Sequence, residues 1–191
     1  GDLFVCIKGY TVDGHRFATL AEEAGAVAIV CEHSIEGIGV PQIIVADTKV
    51  ELPRLAHLIF NKPTEKLNLF GLTGTNGKTT TTTLVGEILK NHFKDVFVVG
   101  NIGTAYAGVA MDTTKDSYIV AETSSFQLET IDEFHPVVSA ILNLTPDHLN
   151  RHHTMEGYVE AKKNIMKNQT EKDYVILNYD DPLTREIGEN A

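Results

Sequence analysis

A short glycine-rich segment carries the most recognisable chemistry in this chain. It follows the apolar run 67–72 and precedes a stretch in which apolar residues recur at helical spacing. Glycines between a strand and a helix let backbone N–H groups close around phosphate oxygens, and the helix start adds unpaired donors. The lysine can reach terminal phosphates and the following threonine hydroxyl can bind Mg²⁺. The predicted nucleotide-binding residues are Gly74, Thr75, Asn76, Gly77, Lys78, Thr79 and Thr80.

The loop departs from the common phosphate-binding pattern. That pattern places a glycine five residues before Gly77, where this chain has Leu72. What remains is the shorter pattern Gly-x-x-Gly-Lys-Thr. The alternative interpretation is a glycine turn that caps an ordinary helix.

An acidic residue follows another apolar run. Glu122 comes directly after Ser-Tyr-Ile-Val-Ala and precedes Thr-Ser-Ser. A carboxylate at a strand end beside a phosphate loop is where a Mg²⁺ ligand is needed. Acidic residues end many strands, so the pattern alone also fits a residue without a metal.

A lysine interrupts an apolar helical stripe further along the chain. The helix predicted from Thr154 has apolar residues at helical spacing, and the same stripe includes Lys162. Such a lysine extends to solvent, finds a partner, or loses its charge. If it is neutral it can take up CO₂ as a carbamate, which is an anionic Mg²⁺ ligand. Asp147 and His148 follow a strand end nearby in sequence, whereas His152 and His153 are expected in a solvated loop.

The composition limits the partners and the location. The formal net charge is −10, without a basic cluster, which argues against nucleic acid and anionic membranes. Neither a signal peptide nor a long apolar segment is evident, so we expect a cytoplasmic protein. Cys6 and Cys31 lie in apolar runs and are predicted to be buried thiols. The chain begins at Gly1 without methionine, so a piece of a longer protein is expected.

The order of apolar runs and helical patterns predicts two α/β domains, residues 1–64 and 65–191, joined by a linker at 61–64. Thr48, with Glu51 three residues later, is predicted to cap a helix that runs to about residue 60 and buries Leu52 and Ile59. In the second domain, strands alternate with helical patterns, which is typical of a mostly parallel sheet with ligands at its carboxyl edge. The predicted strands are 67–72, 96–99, 117–121, 138–143 and 174–178.

Four segments in order resemble the Mur ligases, which add amino acids to the peptidoglycan precursor UDP-N-acetylmuramic acid using ATP. The ATP loop matches 74–80, two further motifs match 122–128 and 143–151, and 158–162 matches the segment of the carbamylated lysine. Residues 65–191 resemble the members that add D-glutamate. Residues 1–63 resemble the uridine-binding domain of the members that add lysine or diaminopimelate. The family's central domain continues further, and a C-terminal domain follows, so the resemblance implies a truncated chain.

The resemblance also implies roles for individual residues. Lys78 holds phosphates of ATP, Thr79 and Glu122 hold one Mg²⁺, and His148 with carbamylated Lys162 holds a second. Lys78, His148 and Lys162 are therefore the implied catalytic residues. The UDP-N-acetylmuramoyl-peptide is oriented by Asn101 and Ser124, and its uridine lies near a loop that contains Tyr10, Thr11 and His15. The implied reaction activates the carboxylate of UDP-MurNAc-L-Ala as an acyl phosphate and adds D-glutamate, as an ATP-dependent amide ligase.

Other interpretations stay open from the sequence. One is a ligase that adds lysine or diaminopimelate to UDP-MurNAc-L-Ala-D-Glu. A P-loop kinase or GTPase explains the loop and Glu122 but leaves Asp147, His148 and Lys162 without a role. Folylpolyglutamate synthetase shares the short loop, but the stretch Ser-Ser-Phe-Gln-Leu at 124–128 argues against it. The last is a folded nucleotide-binding core without turnover. The sequence sets neither the oligomeric state nor the added amino acid.

Overall fold

The computed structural model describes residues 1–9, 11–59 and 67–190, without the side chain of His57. The chain divides into two compact units, Gly1–Leu58 and Ile59–Ala191. The predicted linker at 61–64, and with it the domain boundary at 64/65, lies outside the described residues. Within the described part, no helix has the length and apolar character needed to cross a membrane.

The first unit is a three-stranded parallel sheet with two α-helices. Its elements are β1 (Asp2–Val5), α1 (Ala18–Glu23), β2 (Ala26–Cys31), β3 (Gln42–Ile44) and α2 (Thr48–Ile59), and the strand order is β1-β2-β3. Cys6 and Cys31 are free thiols in its core, which confirms their predicted burial. Burial raises the pKa of the Cys6 thiol to about 11, so this thiol is unreactive at neutral pH.

The predicted cap of α2 is wrong, and so is the predicted burial of two of its residues. Asp47 accepts hydrogen bonds from the backbone N–H groups of Lys49 and Val50, as an N-cap residue does. The Thr48 hydroxyl instead donates to the backbone carbonyl of Cys6. Two predicted core residues of this helix, Leu52 and Ile59, are 41% and 60% exposed.

The second unit is a five-stranded parallel sheet with helices on both faces. In chain order its elements are β4 (Asn68–Thr73), α3 (Lys78–Lys90), β5 (Val96–Gly100), β6 (Tyr118–Glu122), α4 (Ser125–Leu128), β7 (Val138–Ile141), α5 (Leu149–His152), α6 (Met155–Lys163), β8 (Tyr174–Leu177) and α7 (Pro182–Glu189). The strand order is β5-β6-β4-β7-β8, and every pairing is parallel. The predicted α/β class and parallel sheet are confirmed.

Alternate side chains of the strands supply the core on each face. On one face, Leu72 and Val120 pack with Val85 and Leu89 of α3. On the other, Leu128 and Ile141 pack with Tyr158 and Ile165, so α4 and α6 cover that side. Because all five strands run in one direction, their carboxyl ends share one edge. Thr73, Gly100 and Glu122 end their strands there, next to the loops that carry the predicted site.

Candidate functional site

The glycine-rich loop joins the end of β4 to the start of α3. Gly77 occupies the N-cap of α3 at φ 77°, without a side-chain cap on the first helical turn. The N–H groups of that turn, at the positive end of a 13-residue helix, form a ready anion-binding surface. The Lys78 ammonium donates to the backbone carbonyls of Gly74, at 3.0 Å, and Thr75, at 2.8 Å. The loop thus folds around Lys78 and keeps this cation beside the helix start.

Asn143, just after β7, fastens the loop to the sheet. Its side-chain oxygen accepts from the backbone N–H of Asn76 at 2.8 Å, and its amide donates to the Asn76 carbonyl at 3.0 Å. The Thr75 hydroxyl lies 3.0 Å from the Tyr158 hydroxyl, and its oxygen accepts from the backbone N–H of Thr145. The sequence analysis included Asn143 in the 143–151 motif but predicted no role for it. A polar residue at the end of a predicted strand could have indicated one.

A single carboxylate joins the loop to a neighbouring strand end. Glu122 is 1% exposed at the tip of β6. One of its oxygens accepts from the Thr79 hydroxyl at 2.8 Å, and the other accepts from the Asn101 side-chain amide at 3.0 Å. The structure therefore brings Thr79, Asn101 and Glu122 together, in an arrangement that presents hard oxygen atoms beside the phosphate loop.

Gly100 leaves no space for a side chain behind Glu122. It lies at φ 109°, and a Cβ placed there would sit 2.2 Å from the Glu122 carbonyl oxygen. The backbone N–H of Asn101 donates to that same carbonyl at 2.8 Å. Backbone approach between β5 and β6 thus sets where the Glu122 side chain begins.

We expect Gly100→Ala to lower the free energy of unfolding by about 2–3 kcal/mol, because the backbone must leave its conformation and β6 must shift. Urea unfolding followed by circular dichroism measures this change. Gly108→Ala is the matched control, since a Cβ at Gly108 meets no atom within 4 Å. Equal stability of the two variants would contradict the close approach.

Lys162 points inward from α6 and is 2% exposed. Its ammonium donates to the Thr73 hydroxyl at 3.1 Å and lies 5.0 Å from the centre of the Tyr158 ring. Burial and, to a smaller extent, the positive charge of Lys78 lower the pKa of Lys162 to about 8, and Asp147 opposes the change. The prediction that this lysine faces the interior is confirmed by its burial, and the solvent-extended alternative is excluded.

Because the Lys162 ammonium is buried, we expect the free energy of unfolding to depend on pH. The unfolded lysine titrates near pH 10.5, so the cost of burying the charge is fully present below pH 8 and disappears as the pH rises to 10.5. Relative to Lys162→Met, wild-type stability should rise by about 3 kcal/mol across this window. Urea unfolding at pH 7, 8, 9 and 10 measures the difference. The stability difference between wild type and Lys163→Met, a change at the more exposed neighbour, should stay constant with pH. A stability difference between wild type and Lys162→Met that does not change with pH would refute the assignment.

The predicted pair Asp147 and His148 lies between β7 and α5. His148 is half exposed, adopts φ 51°, and has its Nε2 3.5 Å from an Asp147 carboxylate oxygen. Its ring centre is 4.8 Å from that of Phe126 in α4. Asp147 acts electrostatically on Lys162. The motif segments 122–128 and 143–151 therefore lie together, on the side of the sheet where Lys162 is buried.

His152 was expected in a solvated loop, and that expectation is wrong. Its side chain is 3% exposed. Its Nδ1 lies 3.2 Å from the Glu129 carboxylate and its Nε2 lies 2.9 Å from the Ser125 hydroxyl. Because a carboxylate only accepts, Nδ1 carries the proton and Nε2 accepts from Ser125. Burial lowers the pKa of His152, which favours this neutral form. The residue thereby links α4 to α5, whereas His153 is exposed.

The predicted substrate residues differ in what they already contact. The Ser124 hydroxyl caps α4 and donates to the Gln127 side-chain oxygen at 3.0 Å. His15 is buried, with Nδ1 2.5 Å from the Asp13 carboxylate and Nε2 accepting from the backbone N–H of Glu32. A substrate hydrogen bond from its ring would have to replace one of these. Thr11 is exposed, and Tyr10 lies outside the described residues.

The side chains around Glu122 can be compared with the ligands that metal ions require. In the described ranges, no three His, Cys, Asp or Glu side chains form a ready metal cage. Mg²⁺ usually takes one or two protein carboxylates together with waters and substrate phosphates. Glu122 beside the Thr79 hydroxyl matches that requirement better than it matches a transition-metal site.

Two family profiles match the chain. The profile of the Mur ligase middle domain matches residues 72–191, and that of the Mur ligase family, catalytic domain, matches residues 1–59. The UDP-N-acetylmuramoylalanine–D-glutamate ligase of Lachnoclostridium phytofermentans is 58% identical over 137 residues, which are 72% of this chain and 30% of that protein. The protein of the same name from Clostridioides difficile is 54% identical with the same coverage. The chain spans about 30% of the length of these curated relatives.

A solved structure extends the likeness over both units. The MurF ligase from Thermotoga maritima, in complex with ADP, has a TM-score of 0.75 and 27% sequence identity. The match covers 100% of this chain and 45% of that one. The fold and sequence comparisons therefore agree on the family.

Proposed function

The chain belongs to the Mur ligase family, and on that premise we propose that it is the nucleotide-binding part of the ligase that adds D-glutamate to UDP-MurNAc-L-Ala. The reaction consumes ATP, which activates the substrate carboxylate as an acyl phosphate. The amine of D-glutamate then attacks the acyl carbon, an amide bond forms and phosphate leaves. The 54–58% identity to D-glutamate ligases supports the choice of amino acid.

The observation that carries the proposal is the double hydrogen bonding of Glu122. It joins Thr79 of the phosphate loop to Asn101 of the neighbouring strand end, so the nucleotide side and the proposed substrate side share one carboxylate. The difficult part of this reaction is bringing two anions together, and fixed positive charge near the phosphates is what lowers the barrier.

The phosphate loop supplies the first part of that charge. Backbone N–H groups of 74–80 hold phosphate oxygens, and Lys78 turns from its two loop carbonyls to the β- and γ-phosphates. Lys78 is the first residue of α3, so a phosphate bound at the start of this helix also lies near the lysine.

We propose that two Mg²⁺ ions bind at this site. We assign Thr79 and Glu122 to one ion, because both are oxygen donors and already lie 2.8 Å apart. We assign His148 and carbamylated Lys162 to the second. Bound Mg²⁺ neutralises phosphate and carboxylate charge. Thr73 and Tyr158 hold the Lys162 side chain at the interior end of the site.

The burial of Lys162 supports the proposal that it is carbamylated. With its pKa lowered to about 8, mainly by burial, about a tenth of the side chain is a neutral amine at pH 7. The amine lone pair bonds to the carbon of CO₂, and a proton leaves to solvent. The product is a carbamate anion, which removes a buried positive charge next to Lys78.

The substrate side is assigned to the remaining predicted residues. Asn101 and Ser124 orient the muramoyl-peptide, and Tyr10, Thr11 and His15 lie near the uridine. Residues 1–64 are then the proposed UDP-substrate domain, and residues 65–191 are the proposed ATP domain. We expect the enzyme to work in the cytoplasm.

A coupled phosphate-release assay tests the proposal in an intact ligase that contains this chain. UDP-MurNAc-L-Ala with D-glutamate should release phosphate in an ATP- and Mg²⁺-dependent manner. UDP-MurNAc-L-Ala-D-Glu with lysine or diaminopimelate is the matched pair, and phosphate release with it alone would favour the other ligase class that residues 1–63 resemble. Silence with every pair, despite ADP binding measured by calorimetry, identifies a nucleotide-binding core without turnover.

A further inference from the structure

A partly open cavity lies behind Glu122, on the face of the sheet opposite α3. Its volume is about 250 Å³. Apolar side chains of three adjacent strands and of the segment after β6 form most of its wall. The main contributors are Leu69, Val99, Ile119, Ala121, Leu128 and Phe134.

The floor of the cavity is buried, and its rim is exposed at Ala105 and Gln127, so the cavity is partly open to solvent. Leu69 is 3% exposed, and Val99 and Ile119 are each 1% exposed. Leu128, from α4, lies in the wall and is fully buried. Little of the apolar floor is therefore in contact with bulk water.

The few polar groups in the wall lie at the carboxyl ends of the strands and already have partners. Glu122 accepts from Thr79 and Asn101. The Thr123 hydroxyl donates to a backbone carbonyl of β4, and the Gln127 oxygen accepts from the neighbouring N-cap. A buried water needs two to four polar partners, so this wall holds water weakly. An apolar ligand that displaces such weakly held water gains affinity.

We propose that this cavity is a binding site for a small, neutral aromatic ligand about the size of indole. A cavity of roughly 150 Å³ is enough for benzene in another protein, so 250 Å³ accommodates a fused ring pair. The Glu122 carboxylate in the wall disfavours anions, and the apolar remainder cannot solvate a charge. The proposal does not depend on the ligase reaction.

The turn after β5 forms the entrance. Ala105 and Tyr106 line the cavity, and Ala105 is exposed on its other side. Two glycines with positive φ, Gly100 at 109° and Gly103 at 52°, precede these residues. A ligand therefore reaches the cavity beside this turn, without a change in the strands.

Thermal unfolding of the chain in the presence of indole tests the site. Indole at about ten times its Kd should raise the unfolding midpoint by roughly 3–6 °C, in a saturable way. Ala105→Leu, which fills the entrance, and Ala121→Ile, which fills the interior, should each abolish the rise. Ala107→Leu is the matched control, because Ala107 is exposed and does not line the cavity, and it should keep the full rise.

The outcomes separate this site from weak surface binding. Indole-3-acetate should give no saturable rise, since it carries a carboxylate. A wild-type midpoint unchanged by indole overturns the proposal, and so does an equal rise in Ala105→Leu and wild type. If Ala121→Ile does not fold, Ala105→Leu, a change at an exposed turn, decides the question alone.

Discussion

Replacing Lys78 by alanine should reduce acyl-phosphate formation by roughly 10²- to 10³-fold in an intact ligase that contains this chain. In the structure this ammonium sits at the start of α3 and donates to two loop carbonyls. Once phosphates occupy the loop, the same charge stabilises the γ-phosphate as the carboxylate approaches. Losing one such charge contact costs about 3–4 kcal/mol of barrier, and rapid-quench measurement of the acyl phosphate reports it.

Lys90→Ala controls for the loss of a lysine from the same helix. Lys90 lies in the last turn of α3 and pairs with Glu87 at 2.8 Å, far along the helix from the phosphate loop. It should retain full activity. Retention of more than a tenth of wild-type turnover by Lys78→Ala would refute the assigned role. ADP calorimetry on both variants separates lost binding from lost chemistry.

The strands of the second unit could be predicted because each is a short apolar run between polar turns. The run 67–72 and the strand Asn68–Thr73 differ by a single position, and 96–99 became Val96–Gly100. Parallel strands buried on both faces need continuous apolar sequence, which is a strong local signal. Their order in the sheet was not predictable, because pairing depends on contacts between distant segments.

The errors in α2 show where local patterns fail. Thr48 and Glu51 have the spacing of a capping box, but the Thr48 hydroxyl donates to the carbonyl of Cys6, 42 residues away. Helical periodicity marks a stripe without stating what covers it, so Leu52 was expected in the core and is exposed. Tertiary hydrogen bonds and packing partners decide both cases.

The candidate site, like the fold, was predictable only where the sequence pattern is local. A strand-end acid next to a phosphate loop was predictable, and Glu122 does accept from Thr79. The supporting residues Thr73, Tyr158 and Asn143 were not assigned, because their roles come from contacts that span 67 to 89 positions in sequence. His152 looked solvated among polar neighbours, yet Ser125 and Glu129 enclose it.

Lys162 could be singled out because its charge contradicts its position. A buried ammonium with one neutral acceptor lowers stability, and the nearby positive charge of Lys78 adds to that cost. A packed apolar residue at this position would be more stable. A buried group that lowers stability is expected where a reaction requires that group.

Replacing Lys162 by alanine should therefore abolish most turnover in an intact ligase, and short carboxylates should restore part of it. The variant loses the proposed carbamate and leaves a space beside Thr73 and Tyr158. Formate or acetate at tens of millimolar can place a carboxylate in that space. We expect a loss of roughly 10²- to 10³-fold and a several-fold recovery, measured as D-glutamate-dependent phosphate release.

Lys163→Ala distinguishes this rescue from a general effect of the salts. Lys163 is the next residue of α6, and its ammonium pairs with Glu160 at 2.7 Å on the outside of the helix. Its activity should match that of wild type and should not rise with formate. Because the carbamate forms from CO₂, wild-type activity should also fall in bicarbonate-depleted buffer and return when bicarbonate is added. If formate leaves Lys162→Ala unchanged while wild type is indifferent to bicarbonate, the buried lysine acts as an ammonium and the second Mg²⁺ needs another ligand.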